Sequence, residues 1–171
     1  MIEQLVFVGR EREDLLLLGE QLRQTVWLMN GAEPSGALRQ ALAIDALDAV
    51  AVHVAFLHVG RLVALAQVST HSSLQSIRDG EHFAPYIREH DFPVALFNRL
   101  LVHPAYREQG LARRADEARL LIAARSATHA VFVEARGQRI SALESLGFEV
   151  CGPSADNRYP GHWSILRRDT A

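Results

Sequence analysis

The feature that most constrains the fold is the change from strand to helix between residues 99 and 126, RLLVHPAYREQGLARRADEARLLIAARS. An apolar run ends at His103-Pro104, and the chain passes Gly110 before apolar residues recur at helical spacing. A glycine lets a ligand approach the backbone closely, and a helix that starts beside it presents amide hydrogens without intrahelical partners. Together with the positive end of the helix dipole, these donors predict an anion-binding loop from Arg107 to Ala112.

The distribution of charge favours an anion in this segment and argues against nucleic acid as a partner of the chain. Residues 99–139 contain eight arginines and four acidic residues, whereas the formal net charge of the chain is −2. All 18 basic side chains are arginine, which can bind phosphate and carboxylate groups through two hydrogen bonds at once. An acidic chain without a nucleic-acid-binding motif is expected to bind neither nucleic acid nor an anionic membrane.

The remaining pattern predicts a single α+β domain over residues 1–171, in which helices pack against a mixed β-sheet. Two β-runs joined by Gly60-Arg61 predict a tight hairpin, and residues 71–93 are expected to form irregular or short-helical cover. Apolar residues at helical spacing predict the buried faces of two helices, namely Leu15, Leu18, Leu22 and Val26 in the first and Leu111, Ala115, Ala118 and Ile122 in the second.

Three motifs follow one another in the second half of the chain: Val102-x-Pro104, Arg107-x-x-Gly110-x-Ala112, and ALESLGFEV. Together they resemble the GNAT superfamily of acyl-CoA-dependent N-acyltransferases, most strongly between residues 99 and 150. The resemblance implies a three-layer α/β arrangement with antiparallel and parallel strands in one mixed sheet. It also implies that the two central strands splay apart to admit acyl-CoA.

The same resemblance implies which residues hold the co-substrate, acetyl-CoA or another acyl-CoA. The main-chain amides of the loop would bind the CoA pyrophosphate, and the loop consists of Arg107, Glu108, Gln109, Gly110, Leu111 and Ala112. Leu100 and Val102, on the strand before the loop, would bind the pantetheine arm and the thioester carbonyl through their backbones. A backbone amide directed at that carbonyl oxygen would stabilise the oxyanion of the tetrahedral intermediate.

The catalytic side chains of many relatives are replaced in this sequence. Leu96 stands where relatives carry a glutamate base, and Leu143 where they carry a tyrosine that protonates the leaving thiolate. Glu134, on the next strand, is the candidate base, acting directly or through water. The eight histidines show no zinc-binding spacing, so no metal is expected, and His53 and His103 are interpreted as structural.

Asp45, Asp48 and Arg99 also resemble one branch of the superfamily, which contains acyl-homoserine-lactone synthases and long-chain N-acyl amino acid synthases. Membership of that branch implies that Arg99 orients an acceptor carboxylate and that the donor is a longer acyl chain on CoA or on a carrier protein. Gln67 and Leu96 depart from the branch, which usually carries arginine and glutamate there. The alternative interpretation of the two aspartates is that they are helix-end or turn residues.

The favoured function is transfer of acetyl from acetyl-CoA to the amine of a small molecule or peptide. One alternative is an enzyme similar to the long-chain N-acyl amino acid or acyl-homoserine-lactone synthases. The other is a sensor that binds acyl-CoA without turnover, since the loop is present and the usual glutamate and tyrosine are not. The acceptor is expected to contact His82, Tyr86 and His90 in the cover, and a homodimer is compatible with each function.

Two observations predict a soluble cytoplasmic protein. The single cysteine, Cys151, cannot form an internal disulfide, which is typical of a reducing compartment. The longest apolar run near the N-terminus, Leu15 to Leu18, is far shorter than the ~20 residues that span a bilayer.

Overall fold

The computed structural model describes residues 1–29, 43–155 and 161–170. The strands are β1 (Ile2–Val8), β2 (Val52–His58), β3 (Arg61–His71), β4 (Val94–Val102), β5 (Ala130–Ala135), β6 (Glu149–Pro153) and β7 (Ser164–Asp169). The helices are α1 (Glu13–Met29), α2 (Ala46–Val50), α3 (Leu111–Arg125) and α4 (Gln138–Glu144). Single 3₁₀ turns occur at Leu74–Ser76, Gly80–His82, Glu89–Asp91 and Pro104–Tyr106.

The strands form one mixed sheet in the order β1-β2-β3-β4-β5-β7-β6, which confirms the predicted α+β class. β4 and β5 are parallel, whereas β1 with β2, β5 with β7 and β6 with β7 are antiparallel. The β4–β5 ladder runs from Val94↔Ala130 to Phe97↔Val133 and stops there, although β4 continues to Val102. The splay of the two central strands stays a prediction.

The chain divides into two compact units, of which the first comprises Met1–Gln67 and Arg99–Ala118. The prediction of a single domain stays a prediction. The apolar core of the first unit joins α1 to β1, β2, β3 and β4, and its buried members are Phe7, Leu15, Leu16, Leu22, Val26, Ala55, Leu62, Leu65 and Leu101. Burial of such side chains contributes roughly 1.5–3 kcal/mol each.

The buried face of α1 differs from the sequence prediction at one position. Leu15, Leu22 and Val26 are buried as expected, but Leu18 is 38% exposed, so its assignment to the core was wrong. Gly19 occupies the centre of the buried face instead, where a Cβ atom would lie 2.4 Å from Leu65 Cδ2. The helix therefore uses the absence of a side chain to approach β3, which an apolar-spacing argument does not detect.

The hairpin between β2 and β3 is present, but its turn is shifted by one residue from the prediction. The two turn residues are Val59 and Gly60, with φ values of +51° and +72°, and Arg61 is already the first residue of β3. Two consecutive left-handed residues form the turn whose twist matches a hairpin. Val59 is a β-branched residue in a strained conformation, which is why the sequence pattern placed it in the strand.

The second unit comprises Val68–Asn98 and Arg119–Ala171. Its apolar core joins β4, β5 and β7 to the cover, and the buried members are Ile77, Phe83, Ile87, Val94, Leu96, Ala130, Phe132 and Ile165. The cover consists of three 3₁₀ turns between β3 and β4, as its lack of periodicity predicted.

Candidate functional site

The predicted anion loop lies in the first unit, between β4 and α3. His103 caps the 3₁₀ turn that leads into it, since its Nδ1 accepts a hydrogen bond of 3.2 Å from the Ala105 amide, which confirms a structural role for this histidine. Tyr106, in the same turn, contacts β2 through a hydrogen bond of 2.9 Å between its hydroxyl and His58 Nδ1. The turn is thus fixed at both ends before the loop begins.

The loop itself is exposed from Arg107 to Gly110 and contains two left-handed residues, Glu108 at φ +62° and Gly110 at φ +75°. A Cβ atom on Gly110 would meet no other atom within 4 Å, so the space beside this residue is open. The Arg114 amide donates a hydrogen bond of 3.0 Å to the Gly110 carbonyl, and α3 therefore begins directly after the glycine. The preceding amides of the first turn have no intrahelical acceptor.

The charges at the start of α3 are unfavourable for the helix unless an anion binds. The first turn carries no acidic residue, and Arg113 and Arg114 lie at the positive end of the dipole. Arg113 forms an exposed pair with Glu117 at 2.9 Å, and the Arg114 guanidinium lies 4.9 Å from the centre of the Phe56 ring. Negative charge is what stabilises a helix N-terminus, so this end has the electrostatics of an anion site.

The second half of β4 leads into this loop and contains the two proposed backbone contacts. Leu101 is buried in the core of the first unit, while Leu100 and Val102 on the opposite side of the strand are half-buried. Arg99, one residue before Leu100, has φ +47°, a left-handed conformation that is unusual inside a strand.

The Arg99 side chain ends in a cluster of charges within the first unit. Asp45 caps α2, accepting from the amides of Leu47 at 2.9 Å and Asp48 at 3.3 Å, and the Asp48 carboxylate accepts in return from the Asp45 amide at 2.9 Å. Arg99 donates a hydrogen bond of 2.8 Å from Nη1 to Asp48 Oδ2, and a second one from Nη2 to Asp45 Oδ2. The aspartates are helix-end residues, as one interpretation held, and they also bind the arginine.

Asp48 is the centre of this charge cluster, which we define as Arg23, Asp45, Asp48, Gln67 and Arg99. Its side chain is fully buried, and its Oδ1 accepts from Gln67 Nε2. Arg23 Nη1 lies 3.5 Å from Asp48 Oδ2, which is an ionic contact without hydrogen-bond geometry. Burial lowers the pKa of the Arg23 guanidinium, and the Asp48 carboxylate opposes that shift. Two arginines and two aspartates thus balance their charges, with Arg23 and Asp48 buried and Arg99 and Asp45 partly exposed.

His53 belongs to the surroundings of this cluster and is structural, as the sequence indicated. Its ring is fully buried, stacks on Phe7 with centroids 4.7 Å apart, and contacts the Asp48 carbonyl through Nε2 at 2.9 Å. Burial lowers its pKa, so the ring is neutral at pH 7.

Glu134 lies in the second unit, half-buried on β5, where its carboxylate accepts a hydrogen bond from the Ser154 hydroxyl. Ser154 also lines an open depression of about 390 Å³ whose other walls are Val150, Gly152, Pro153, Gly161, His162, Trp163 and Ser164. Leu96 and Leu143 are buried apolar residues, so neither position supplies an acid or a base. The catalytic role of Glu134 stays a prediction.

Two of the three cover residues chosen as acceptor contacts, Tyr86 and His90, already have structural partners. The Tyr86 hydroxyl donates a hydrogen bond of 2.7 Å to the Pro153 carbonyl, and the Tyr86 ring packs on the core of the second unit. His90 Nε2 lies 3.8 Å from Asp91 Oδ1 at the surface, and His82 is half-buried. Their contact with an acceptor stays a prediction.

Arg23 and His71 are among the buried polar residues that sequence reasoning did not single out. Arg23 follows the buried Leu16 by seven positions, so its place in the apolar stripe of α1 was a usable signal. His71 was assigned to the start of the cover, whereas it is the last residue of β3 and is 7% exposed.

The described residues contain neither a membrane-spanning helix nor a metal-binding cluster of side chains. No helix among them is long and apolar enough to cross a membrane. Nor does that part of the chain contain a group of three or more histidine, cysteine, aspartate or glutamate side chains able to hold a metal ion.

No protein-family model and no curated protein matches the sequence, but solved structures match the fold. FeeM, an N-acyl amino acid synthase from uncultured soil microbes, has a TM-score of 0.73 at 11% identity, covering 99% of this chain and 90% of its own. The ribosomal-protein-S18-alanine N-acetyltransferase of Escherichia coli has a TM-score of 0.65 at 19% identity, and the match covers 99% of this chain and 95% of that protein. An acyl-CoA N-acyltransferase from Pseudomonas aeruginosa has a TM-score of 0.67 at 19% identity, and the match covers 98% of this chain and 99% of that protein.

Proposed function

Because the chain has the fold of the GNAT superfamily of N-acyltransferases, we propose that it transfers an acyl group from acyl-CoA to an amine. The donor is acetyl-CoA and the acceptor is the primary amine of a small molecule or peptide. The proposal depends on the site as well as the fold, since one fold serves many functions.

The observation that carries the proposal is the start of α3. An exposed loop with Gly110 in a left-handed conformation precedes a helix whose first turn has arginines and no acidic residue. A diphosphate bound there would accept hydrogen bonds from the free amides and offset the repulsion between the arginines and the dipole. The 3′-phosphoadenosine diphosphate of CoA supplies that group.

The second half of β4 supports the acyl-transfer step. The backbone of Leu100 and Val102 would hold the pantetheine arm, and an amide of this strand would stabilise the oxyanion that forms when the amine attacks the thioester. Leu143 provides no proton for the thiolate, but a thiol pKa near ~8.5 lets the thiolate leave without an acid. The nitrogen proton still needs an acceptor, for which Glu134 is the residue predicted from the sequence.

Calorimetric titration with acetyl-CoA tests the proposal, with two glycine variants as a matched pair. Gly110→Trp should fill the space beside the loop and weaken acetyl-CoA binding at least about tenfold, about 1.4 kcal/mol. Gly60→Trp is the control, because Gly60 also has a positive φ and open space beside it but lies in the β2–β3 turn. Equal acetyl-CoA affinity in the two folded variants would show that this loop does not bind the pyrophosphate.

A second candidate function, synthesis of long-chain N-acyl amino acids, is favoured by the charge cluster and by the likeness to FeeM. In that case the donor carries a long acyl chain and Arg99 orients the carboxylate of an amino acid. Tighter binding of palmitoyl-CoA than of acetyl-CoA, with amino acids as acceptors, would support it. The sensor function would be supported by acetyl-CoA binding without release of CoA to any amine in a broad panel.

A further inference from the structure

The chain just before the predicted anion loop is attached to two strands of the first unit. The His103 amide donates a hydrogen bond of 2.8 Å to the Val63 carbonyl on β3. Three residues later, a hydrogen bond of 2.9 Å joins the Tyr106 hydroxyl to Nδ1 of His58, the last residue of β2. The Tyr106 ring also makes edge-on contacts with both imidazoles, 5.6 Å from His58 and 5.8 Å from His103 between ring centres. The residue that precedes Arg107 is therefore fixed in position and orientation.

The chain just after the loop is attached to the same strand, β2. The Arg114 guanidinium lies 4.9 Å from the centre of the Phe56 ring, which is fully buried. Phe56 and His58 are two residues apart on β2, so their side chains point to the same face of the sheet. Leu111 and Ala115, in the first turns of α3, are also buried. One face of one strand thus contacts the chain on both sides of the loop.

β2 is a firm support for these contacts. It pairs with β1 along all 7 of its residues, from Val52 to His58, without a register shift. A two-residue turn connects it directly to β3. On its other face, Ala55 belongs to the buried core of the first unit and Leu57 packs against that core. A side chain that projects from β2 is therefore held in place independently of the loop.

The backbone between the two attachments has little support of its own. The amides of Glu108, Gln109 and Gly110 have no hydrogen-bond acceptor among the residues that the structure describes. Glu108 has φ +62°, which is strained for a residue with a Cβ atom and persists only where the surroundings enforce it. Within the loop, the Gln109 side chain donates a hydrogen bond of 3.4 Å to the Ala105 carbonyl. The directions of the three amides therefore depend on how firmly the chain is attached on each side.

We propose that His58 and Tyr106 are positioning residues for the pyrophosphate of acyl-CoA, an inference that rests on the proposed function. They act through the loop, because their hydrogen bond fixes the residue before Arg107 on β2 and so holds the following amides in place before the co-substrate arrives. Donors that are already ordered do not have to be ordered on binding, which raises the affinity. Without this hydrogen bond the loop retains all its donors, but the ligand has to order them. Every residue in this arrangement belongs to the first unit.

Calorimetric titration of the full chain with acetyl-CoA, or with palmitoyl-CoA if the wild type prefers it, tests the proposal. Tyr106→Phe keeps the ring and removes the hydroxyl, and we expect the Kd to rise about fivefold, the equivalent of one hydrogen bond. His58→Leu should cause the same rise. His58→Asn places an amide group where Nδ1 lies in histidine, so it should restore nearly wild-type affinity, which a loss of packing at this position would not allow.

The double variant Tyr106→Phe/His58→Leu tests whether the two residues act through their common hydrogen bond. If they do, the double variant should bind acyl-CoA about as tightly as either single variant, because the second substitution removes nothing further. Independent effects would multiply to about 25-fold. Multiplied losses in the double variant, or wild-type affinity in a folded Tyr106→Phe protein, would overturn the proposal.

Thr128→Val is the matched control for a general loss of stability. Thr128 is a buried residue of the second unit whose hydroxyl donates a hydrogen bond of 3.0 Å to the Ala123 carbonyl. Urea unfolding establishes that each variant is folded, and acyl-CoA affinity should be unchanged in Thr128→Val. An equal loss of affinity in Thr128→Val and Tyr106→Phe would refute a positioning role.

The Gly110→Trp variant separates failure of this inference from failure of the proposed function. If the wild type binds neither acetyl-CoA nor palmitoyl-CoA, or if Gly110→Trp binds as tightly as the wild type, the proposed function of the loop fails and the positioning role fails with it. Acyl-CoA binding that Gly110→Trp weakens and Tyr106→Phe leaves unchanged would refute the positioning role alone.

Discussion

Replacing Asp48 with asparagine should lower the free energy of unfolding by about 3–5 kcal/mol, the usual cost of removing one partner from a buried ion pair. The side chain is fully buried and contacts Arg99 at 2.8 Å, Arg23 at 3.5 Å and the Asp45 amide at 2.9 Å. Asparagine has nearly the same shape but leaves two arginines beside a single carboxylate. Since Arg23 is only 3% exposed, water cannot replace the lost charge.

Urea unfolding at pH 7 measures this effect, with Glu117→Gln as the matched control. Glu117 also accepts a hydrogen bond from an arginine, at 2.9 Å from Arg113 Nε, but both side chains are about half exposed. An exposed pair at i, i+4 spacing contributes at most about 1 kcal/mol. If Asp48→Asn and Glu117→Gln shift the urea midpoint equally at constant m-value, the charge cluster does not stabilise the fold as argued.

Three further predictions concern local conformation and pH. Val59→Asn should stabilise the protein by about 1 kcal/mol, because Val59 is 89% exposed and strained at φ +51°; an unchanged or lower melting temperature would contradict this. Gly9→Ala should be more destabilising than Gly60→Ala, since a Cβ on Gly9 would lie 2.4 Å from the Ala49 carbonyl oxygen and one on Gly60 has open space; equal urea midpoints would exclude that clash. Burial lowers the pKa of His53 below 6.5, so the unfolded chain binds more protons below that pH and stability should fall as pH decreases from 6.5. His53→Gln should reduce this dependence, and a urea midpoint that rises on acidification would refute it.

The conformation of the loop from Arg107 to Ala112 was predictable because the residues that define it act locally, whereas its binding of an anion stays a prediction. Gly110 adopts the left-handed conformation that only glycine adopts without strain, and α3 begins at the next residue. The same rule failed at the hairpin, where Val59 adopts a left-handed conformation against its own preference. A sequence pattern shows the usual choice of a residue type, and the tertiary context can override it.

The charge cluster was predicted only in part, because its members are far apart in the sequence. Asp45, Asp48 and Arg99 were found only through their resemblance to a synthase branch, and their contact with Arg23 depends on the packing of α1. The contacts of His71 with Ser69 and Ser76 were not predicted, because only the three-dimensional structure brings these side chains together.

The arginines around the loop would have a consequence for the stability of an acyl-CoA donor bound there, as proposed. A thioester is an acylating agent, and such a donor would modify a lysine beside it. Arg107, Arg113 and Arg114 carry the same charge on a guanidinium that stays protonated and is not nucleophilic. All 18 basic side chains of the chain are of this kind, so an acyl group bound as proposed would reach an acceptor amine without first being captured by a side-chain amine of the protein.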